Sequence, residues 1–511
     1  MVAPSEPVVD DNSFMRRVAR LAEVHPERAA IIFVALSGDE QTISWAALER
    51  QTNQIARLLA DRGVSGDSMV VTGVWNSPEM ILFTIAAWKL GARVLPLRAI
   101  LPPRERDAIL QLAQPALVLA EWADLGWPSI HPEALSAAAA YPDGPLPDVP
   151  HPGKAIGSGG STGNPKLIID RAWNPVAGIE SGRRLGTRQG QTQLLAAPLY
   201  HNSPFLQSFT GLADDHTLLV MEKFDATRAA DLIERYRVSY AYLPPILMRR
   251  LALLTDFWER DFSSFDAMHS SAAVCPIWLK QVWIDKLGPE KVYEVYGSAE
   301  GIGSTIIRGD EWLAHRGSVG RSTTSDIRIL DEARNPLPPG EVGEIFLKRR
   351  DGSTPTFHYI GAAPVKFTED GFASLGDLGS LDEDGYLYIA DRRVDMIVSG
   401  GANVYPAEVE AALSEYPGLA DVAVIGVPDE EWGRRVHAVI EPHDPANPPE
   451  IHELDAHVRE RIAAWKAPKT YEFVTQLPRN EAGKIRRTAL AAERESGWHD
   501  GMILVRAPSS S

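Results

Sequence analysis

Apolar residues recur in two spacings along the first part of the chain, and the spacings predict alternating helices and strands. Apolar positions three and four residues apart predict helices from Phe14 and from about Trp45. Short uninterrupted apolar runs predict buried strands at Met69–Val74 and Val94–Leu97, and a helix opened by Pro78 lies between them. Strands that alternate with helices in this way are typical of a parallel sheet. The pattern therefore predicts a largely parallel α/β sheet.

The same alternation continues through the middle of the chain. Leu117–Leu119 predicts a further strand, and Tyr141–Pro152 is a polar connector. Leu167–Ile169 predicts another strand, so the Gly- and Ser-rich stretch just before it should join two strands of a sheet. Further helices and strands are predicted around Leu194–Pro198, Thr217–Met221, Leu232–Tyr236 and Tyr240–Leu243.

Two changes of pattern follow in the last third of the chain. Between Trp312 and Gly385, glycines, prolines and short alternating runs predict an antiparallel β unit. A smaller α/β unit is predicted after Asp391. Its predicted elements are helices at Ala407–Leu413 and Ile451–Trp465 and strands at Val422–Val427, Arg435–Ile440 and Tyr471–Val474. The last ten residues, which end in Pro-Ser-Ser-Ser, predict a frayed terminus.

Composition and charge exclude several classes of function. The chain has 511 residues, enough for a large core, and a net charge of −17. That charge argues against nucleic acid or an acidic membrane as the main partner, although a nucleotide needs only a local positive site. Cys275 is the only cysteine, which excludes an intrachain disulfide and a cysteine metal cluster. No apolar run is long enough to span a membrane and the N-terminus does not resemble a signal peptide, so we expect a cytoplasmic protein.

The stretch Ser158–Lys166, with the sequence SGGSTGNPK, is the strongest candidate for chemistry. Glycines let the backbone bring its N–H groups close to an anion, and hydroxyl and ammonium groups suit phosphate oxygens. The spacing does not match a Walker loop or a dinucleotide fingerprint. Considered alone, the stretch is also compatible with a flexible surface loop. The residues predicted to bind phosphate are Ser158, Gly159, Gly160, Ser161, Thr162, Gly163 and Lys166.

Four blocks together resemble the motifs of the adenylate-forming superfamily, which contains acyl-CoA synthetases, peptide-synthetase adenylation domains and firefly luciferase. They are SGGSTGNPK, YGSAE at Tyr296–Glu300, the long stretch Leu375–Glu410 and RNEAGKIRR at Arg479–Arg487. The resemblance covers nearly the whole chain. It implies an α/β fold with a large N-terminal domain of sheets plus a β unit (1–390), a small mobile α+β C-terminal lid domain (391–500) and a flexible tail (501–511).

The resemblance also implies the reaction and the nucleotide site. Such an enzyme joins a carboxylate to the α-phosphate of ATP, releases pyrophosphate and leaves an acyl-adenylate, largely by positioning and charge neutralisation. Glu300 with Thr162 would hold Mg²⁺, while Asp377 and Arg392 would hold the ribose. The remaining nucleotide contacts would be Tyr296 beside adenine, Gly297 and Ser298. On the residues alone, Asp377 could instead cap a turn and Arg392 could pair with Asp395.

Lys484 resembles the family's lysine that reaches between the carboxylate and the α-phosphate during adenylation. Its charge would shield two anions that repel each other. Composition alone favours a solvated basic face of Lys484 with Arg479, Arg486 and Arg487, whereas the register with the other three blocks favours the lysine of the family.

The acid pocket is expected to be walled by segments that match the family's pocket. His201 would line the passage from the pocket to the acceptor tunnel, with a structural histidine as the alternative. The other predicted wall residues are Tyr200, Asn202, Phe205, Leu243, Ala272, Ala273, Gly301 and Gly303. These walls are apolar, with no evident Arg or Asp for a charged tail, so the predicted substrate is a hydrophobic carboxylic acid.

The acceptor predicted for the second half-reaction is CoA. Gly400 and Gly401 lie in a segment typical of acyl-CoA ligases, closest in texture to the bile-acid type, where glycine lets pantetheine pass the backbone. Ala299, Val394 and Ser203 depart from the family pattern. An altered domain rotation would favour the alternative, a ligase that passes the acyl group directly to an amino acid amine, as coronafacate ligase does. A homodimer is compatible with either.

Overall fold

The structure is a computed structural model that describes residues 12–123, 125–159, 165–392, 395–480, 485–495 and 505–506, with the backbone alone at 158–159, 392 and 505–506. The helices in these ranges are α1 (Phe14–Val24), α2 (Trp45–Asp61), α3 (Pro78–Lys89), α4 (Pro103–Ala113), α5 (Gly178–Arg184), α6 (Asn202–Ala213), α7 (Ala226–Arg235), α8 (Pro245–Ala252), α9 (Ile277–Leu287), α10 (Gly309–Ala314), α11 (Pro406–Ser414), α12 (Ile451–Arg461) and α13 (Arg487–Glu495).

The strands form five sheets. They are β1 (Ala29–Val34), β2 (Glu40–Ser44), β3 (Met69–Gly73), β4 (Arg93–Pro96), β5 (Leu117–Ala120), β6 (Ser129–Ile130), β7 (Lys154–Gly159), β8 (Pro165–Asp170), β9 (Thr192–Leu195), β10 (Thr217–Met221), β11 (Tyr240–Tyr242), β12 (Ala267–Ser270), β13 (Val292–Gly297), β14 (Ser304–Arg308), β15 (Ser325–Leu330), β16 (Gly343–Arg349), β17 (Phe357–Ile360), β18 (Asp377–Leu381), β19 (Leu387–Arg392), β20 (Ile397–Ser399), β21 (Ala402–Val404), β22 (Leu419–Asp429), β23 (Gly433–Pro442), β24 (Thr470–Phe473) and β25 (Val505–Arg506).

The first helices begin where their cap residues predict. The side chain of Ser13 accepts a hydrogen bond from the backbone of Arg16 at the start of α1, and Ser44 does the same at the start of α2. Helix α3 begins at Pro78 and is buried along its whole length, because it packs between other elements of the core. The predicted helices from Phe14, Trp45 and Pro78 are confirmed.

A mostly parallel eight-stranded sheet forms the centre of the molecule. Its strand order is β14-β13-β12-β11-β9-β10-β1-β2, with antiparallel pairing only at the β2 and β14 edges. A second sheet, β4-β3-β5-β6, is parallel throughout. Both sheets are covered by helices, which confirms the predicted α/β fold. Cys275 is buried near the large sheet, and burial raises the pKa of its thiol.

A third sheet positions the predicted phosphate loop. Strands β7 and β8 pair antiparallel, with Ser158 opposite Lys166, so the stretch between them joins two neighbouring strands as predicted. Strand β17 pairs with the other side of β8. This pairing corrects one expectation. The antiparallel unit predicted after Trp312 exists as the sheet β15-β16-β18-β19. Strand β17 lies in the same stretch of sequence, but it pairs with β8 and so belongs to the sheet of the β7–β8 hairpin.

The C-terminal residues form a separate sheet with its own core. Strands β20 to β25 carry α11, α12 and α13, and a cluster around Val424, Leu454 and Tyr471 is buried between them. The helix predicted for Ile451–Trp465 is too long. Helix α12 ends at Arg461 because Ile462 takes an extended backbone conformation, and Trp465 lies exposed in a short 3₁₀ turn.

Polar contacts join this unit to the rest of the chain. Arg249 of α8 donates to the carbonyl of Leu419 at 2.9 Å and lies 3.4 Å from Asp421, while Arg486 pairs with Glu105 at 2.9 Å. Among the helices described here, none combines the length and the apolar character that a bilayer crossing requires.

Candidate active site

Four loops that the sequence marked as functional meet at one edge of the central sheet. Strands β9, β11, β12 and β13 are parallel neighbours, and their carboxyl ends lead into the segments that begin at Ala196, Leu243, Ser271 and Ser298. In parallel α/β sheets this edge is where ligands bind. A cavity of about 980 Å³ opens there and continues under the β7–β8 hairpin.

Most of the predicted site residues within the described ranges line this one cavity. It brings together residues from three of the four sequence blocks and from the predicted acid pocket. They are Lys166, Tyr200, His201, Asn202, Ala272, Gly297, Ser298, Glu300, Gly301, Gly303 and Asp377. Tyr296 lines a small pocket that shares Gly297 and Ser298 with this cavity.

Several predicted residues are not placed by the structure. Gly160, Ser161, Thr162, Gly163, Val394 and Lys484 lie outside the described residues. For Ser158, Gly159 and Arg392 only the backbone is described. Their assigned roles remain predictions.

Three predicted pocket residues, Phe205, Leu243 and Ala273, do not line the cavity. Helix α6 turns Ser203, Gln207 and Thr210 toward it, and these positions repeat every three to four residues on one face. Phe205 lies on the opposite face and is fully buried among aromatic rings. The centre of its ring lies 5.9 Å from the ring centre of Trp88 and 4.8 Å from that of Phe209.

Leu243 and Ala273 lie outside the cavity wall for different reasons. Leu243 is fully buried in the core beneath the central sheet, whereas Ala273 lies on the exposed side of its loop. Their neighbours Tyr242, Pro244, Ser271 and Ala272 form the wall instead.

Lys166, Glu300 and Tyr359 form a charged cluster under the hairpin. Lys166 Nζ lies 3.3 Å from Glu300 Oε1 and 4.0 Å from the centre of the Tyr359 ring. The Tyr359 hydroxyl donates to the same Glu300 oxygen at 2.7 Å. Burial, and then the neighbouring Glu300 carboxylate, raise the pKa of Tyr359, so its hydroxyl stays a donor. These two contacts hold the Glu300 carboxylate in a fixed position. Glu300 is also only 8% exposed.

Tyr359 was not predicted from the sequence. It lies in β17, opposite Ile168 of β8, and the register of that pairing turns it toward Glu300. Its own segment carries only a short apolar run, and pairing between distant strands leaves no local sequence signal.

Replacing Tyr359 with phenylalanine is expected to raise the KM for magnesium-ATP by about 10- to 100-fold, because a hydrogen bond to a charged group contributes about 1.5–3 kcal/mol. The ring that faces Lys166 remains. Steady-state kinetics measures the change. Tyr416→Phe is the matched control, since Tyr416 donates to Glu453 at 2.7 Å in the C-terminal unit. Unchanged KM in Tyr359→Phe would show that Glu300 needs no such support.

Lys154, at the start of β7, is a second cation beside the cavity wall and was also not predicted. It is 4% exposed, and its ammonium donates to Asn202 Oδ1 at 2.9 Å and to the carbonyl of Ala299 at 3.0 Å. These bonds join the loop after β9 to the loop after β13. Burial lowers the pKa of Lys154 to about 8, while the carboxylates of Asp170 and Glu300 oppose the shift.

The lowered pKa of Lys154 makes stability depend on pH. Between about pH 8 and the ordinary value of 10.5, the unfolded chain binds a proton at Lys154 that the folded chain has lost. Raising the pH through this window should therefore increase the free energy of unfolding relative to that of Lys154→Met. Urea titrations of both proteins at several pH values measure the difference. If the free energies of unfolding of the two proteins changed with pH in the same way, the lowered pKa of Lys154 would be contradicted.

The cavity wall contains Asp377, the carboxylate that is predicted to hold the ribose. Asp377 opens β18, lies opposite Arg392 in the register of β18 and β19, and accepts a hydrogen bond from the Tyr296 hydroxyl at 2.7 Å. Ser298 and Ser325 also line the cavity here, and their buried hydroxyls have no hydrogen-bond partner in the described part of the chain. Such hydroxyls are suited to a polar ligand.

More cationic than anionic side chains line the cavity although the chain is acidic, and each of the lining arginines is ion-paired. The cationic side chains in its wall are Lys166, Arg184, Arg321, Arg349 and Arg350, and the anionic ones are Glu300, Asp351 and Asp377. This balance fits the local positive site that a polyanion requires.

The acid side of the cavity is more polar than predicted. Gly178 and Gly182 of α5 and the exposed face of α6 form two of its walls, and Arg184 lies at the end of α5. Gln207, Thr210, His269 and Ser181 line it as well. The expectation of apolar walls with no evident Arg or Asp did not include these residues. The missed residues follow no family motif, so only the fold could place them.

The three arginines around Lys484 are all ion-paired, but the Arg486 side chain is 72% exposed, so the alternative of a solvated basic face stays a prediction. Arg479 pairs with Asp421, and Arg487 pairs with Glu410 at 2.7 Å and with Asp395 at 3.3 Å. Asp395, the alternative partner considered for Arg392, is therefore engaged by Arg487.

Gly400 and Gly401 form a tight turn between β20 and β21, and they do not line the cavity. Both have positive φ, 58° and 81°, which favours glycine. A Cβ on Gly400 would lie 2.8 Å from the ring of Trp432, so a side chain could not be added there without movement.

Comparison with known proteins agrees with this geometry. The family model described as AMP-binding enzyme matches residues 18–354, and the one described as AMP-binding enzyme C-terminal domain matches residues 408–484. The 2-succinylbenzoate–CoA ligase of Bacillus licheniformis is 29% identical over 92% of this chain and 98% of its own length. The feruloyl-CoA synthase of an Amycolatopsis species is 31% identical over 87% of this chain and 92% of its own.

Solved structures show the same fold. The o-succinylbenzoate CoA synthetase of Bacillus subtilis with its acyl-adenylate intermediate matches with a TM-score of 0.80 at 25% identity, covering 93% of this chain and 97% of its own. The same enzyme with ATP and a magnesium ion matches with a TM-score of 0.79 at 25% identity, covering 93% and 98%.

Proposed function

This chain belongs to the AMP-binding enzyme family, and from that premise we propose that it activates a carboxylic acid with ATP as an acyl-adenylate and then transfers the acyl group to CoA. The observation that carries the proposal is the shared cavity. One continuous space is lined by Lys166 of the β7–β8 hairpin, by Glu300 and by Asp377, and it extends to Gln207 and His269, where we assign the acid (the acid chamber). An enzyme that couples an acid to a nucleotide needs these parts within reach of each other.

In the first step a carboxylate oxygen of the acid bonds to the α-phosphorus, and the bond from that phosphorus to pyrophosphate breaks. The obstacle is the repulsion between the acid anion and the polyphosphate. Lys166 lowers it as a fixed cation under the hairpin, and Lys484 would add a second at the reacting oxygens. Lys154 holds Asn202 and the Ala299–Glu300 backbone in place from below.

The residues present fit a magnesium ion. A hard divalent cation in a nucleotide site takes one or two carboxylates and fills its other positions from phosphate and water. Glu300 supplies a carboxylate in the cavity, with Thr162 as the predicted second protein ligand, and no cluster of three His, Cys, Asp or Glu side chains competes for a metal within the described ranges. Bound there, the ion would neutralise phosphate charge.

In the second step the CoA sulfur bonds to the acyl carbon, and the bond from that carbon to the AMP oxygen breaks. Since the Gly400–Gly401 turn lies outside the cavity, the C-terminal unit (391–500) must move as a lid for this turn to reach the acyl group. His201 lines the cavity, and we assign it to the passage through which the acceptor enters. We place the enzyme in the cytoplasm, and a homodimer is compatible with this function.

Product analysis tests the proposed acceptor. The purified chain is incubated with ATP, magnesium and a panel of aromatic, alicyclic and medium-chain acids, either with CoA or with mixed amino acids. Mass spectrometry should find an acyl-CoA thioester only when CoA is present. An N-acyl amino acid formed without CoA would overturn the thioester and favour direct amide synthesis.

A further inference from the structure

The acid chamber contains a hydrogen-bonded group of three side chains that the proposed reaction does not use. Tyr240 of β11 and His269 of β12 lie on neighbouring strands, and Gln207 faces them from α6. The Tyr240 hydroxyl donates to Gln207 Oε1 at 2.8 Å and lies 3.3 Å from His269 Nδ1. Gln207 and His269 both line the cavity, while Tyr240 is buried behind them.

The hydrogen bonds within the group determine which of its atoms can donate and which can accept. Because the Tyr240 hydrogen goes to Gln207, its oxygen accepts from His269, which places the histidine proton on Nδ1. Burial lowers the pKa of His269 to about 3, so the ring is neutral and Nε2 carries a lone pair. The Gln207 oxygen faces Tyr240, which leaves the amide nitrogen as a donor.

One buried polar atom of this group has no hydrogen-bond partner in the described residues. His269 is 2% exposed, and its Nε2 has no hydrogen-bond partner in the described structure. A buried acceptor without a partner costs free energy. A ligand group that donates to His269 Nε2 would remove that cost. A group that also accepts from the Gln207 amide nitrogen would form hydrogen bonds with both side chains.

Resting on the proposed function, we propose that Gln207 and His269 select acids that carry a hydroxyl group at the end away from the carboxylate. A hydroxyl donates and accepts, so it complements both side chains. With the reacting carboxylate assigned beside His201, the N-cap of α6, Gln207 lies six residues farther along the helix, which is about 9 Å at 1.5 Å per residue. The chamber therefore suits an acid whose hydroxyl and carboxylate are separated by a ring and a short chain.

Matched acids test this selection. Pyrophosphate release is measured with hydroxyphenylpropanoic acid and with phenylpropanoic acid, which differ only in the hydroxyl. We expect kcat/KM to be at least about 10-fold higher for the hydroxylated acid. In His269→Met and in Gln207→Leu the preference for the hydroxylated acid should fall to within about 3-fold, whereas Gln41→Leu on exposed β2 should keep it.

The outcomes separate this inference from the proposed function. Equal use of the two acids by the unmodified chain, or a preference that survives both substitutions, overturns the inference and leaves adenylation intact. Loss of activity with both acids in a variant that melts like the parent would make the pair a structural support and also overturn the inference. Absence of pyrophosphate with every acid contradicts the proposed function itself.

Discussion

Replacing Lys484 with alanine is expected to lower pyrophosphate release from ATP and acid by about 100- to 1,000-fold. The ammonium group is assigned to the space between two anions, and removal of one preorganised group of this kind costs about 2.7–4 kcal/mol. The neighbouring Arg479 and Arg487 cannot substitute, because Asp421 and Glu410 already hold them. The effect should appear in kcat, since the charge acts on the reacting oxygens.

A coupled pyrophosphate assay measures this loss. Lys466→Ala is the matched control, because it removes a lysine of the same unit whose ammonium pairs with Glu408 at 2.6 Å. The control should keep near-normal activity. If Lys484→Ala retained full pyrophosphate release, the assigned role of Lys484 would be wrong and the adenylation mechanism would need another cation.

Replacing Glu300 with glutamine should lower kcat/KM for ATP by about 100-fold or more. Glutamine keeps the shape and can still meet Tyr359, but it removes the negative charge that faces Lys166 and that would hold magnesium. Without that charge the ion must bind through the nucleotide alone. Part of the loss should therefore be recovered at high magnesium concentration.

Kinetics over a magnesium titration tests this second prediction. Glu341→Gln, on an exposed loop, loses the same charge and should behave like the parent chain. A Glu300→Gln variant with the parent's magnesium dependence would remove Glu300 from the metal site. A variant that lost stability as well as activity would show that the carboxylate mainly balances Lys166.

The sequence predicted the architecture well because its signals are local. Apolar spacing marked α1, α2 and α3, and short apolar runs marked the parallel strands. The family resemblance assigned the segments after β9, β12 and β13 to one pocket, and parallel strands present their carboxyl ends at one edge. The cavity confirms that Tyr200, Ala272 and Glu300 lie together.

The sequence failed where side-chain direction or long-range pairing decides the outcome. Phe205 was assigned to the pocket although α6 turns it into the core, because a helix face cannot be fixed without its neighbours. Tyr359 reaches Glu300 only through the pairing of β17 with β8. Lys154 and His269 are polar residues within apolar strands, and only the fold shows that they border the cavity.

Isotope transfer gives the most direct test of the central claim that a carboxylate attacks the α-phosphorus of ATP. The chain is supplied with ATP, magnesium, CoA and an acid labelled with heavy oxygen in its carboxylate, and the nucleotide product is examined by mass spectrometry. Adenylation predicts AMP that carries one labelled oxygen, because the oxygen that bridged acyl carbon and phosphorus leaves with AMP. Unlabelled AMP, or ADP with label in inorganic phosphate, would contradict it.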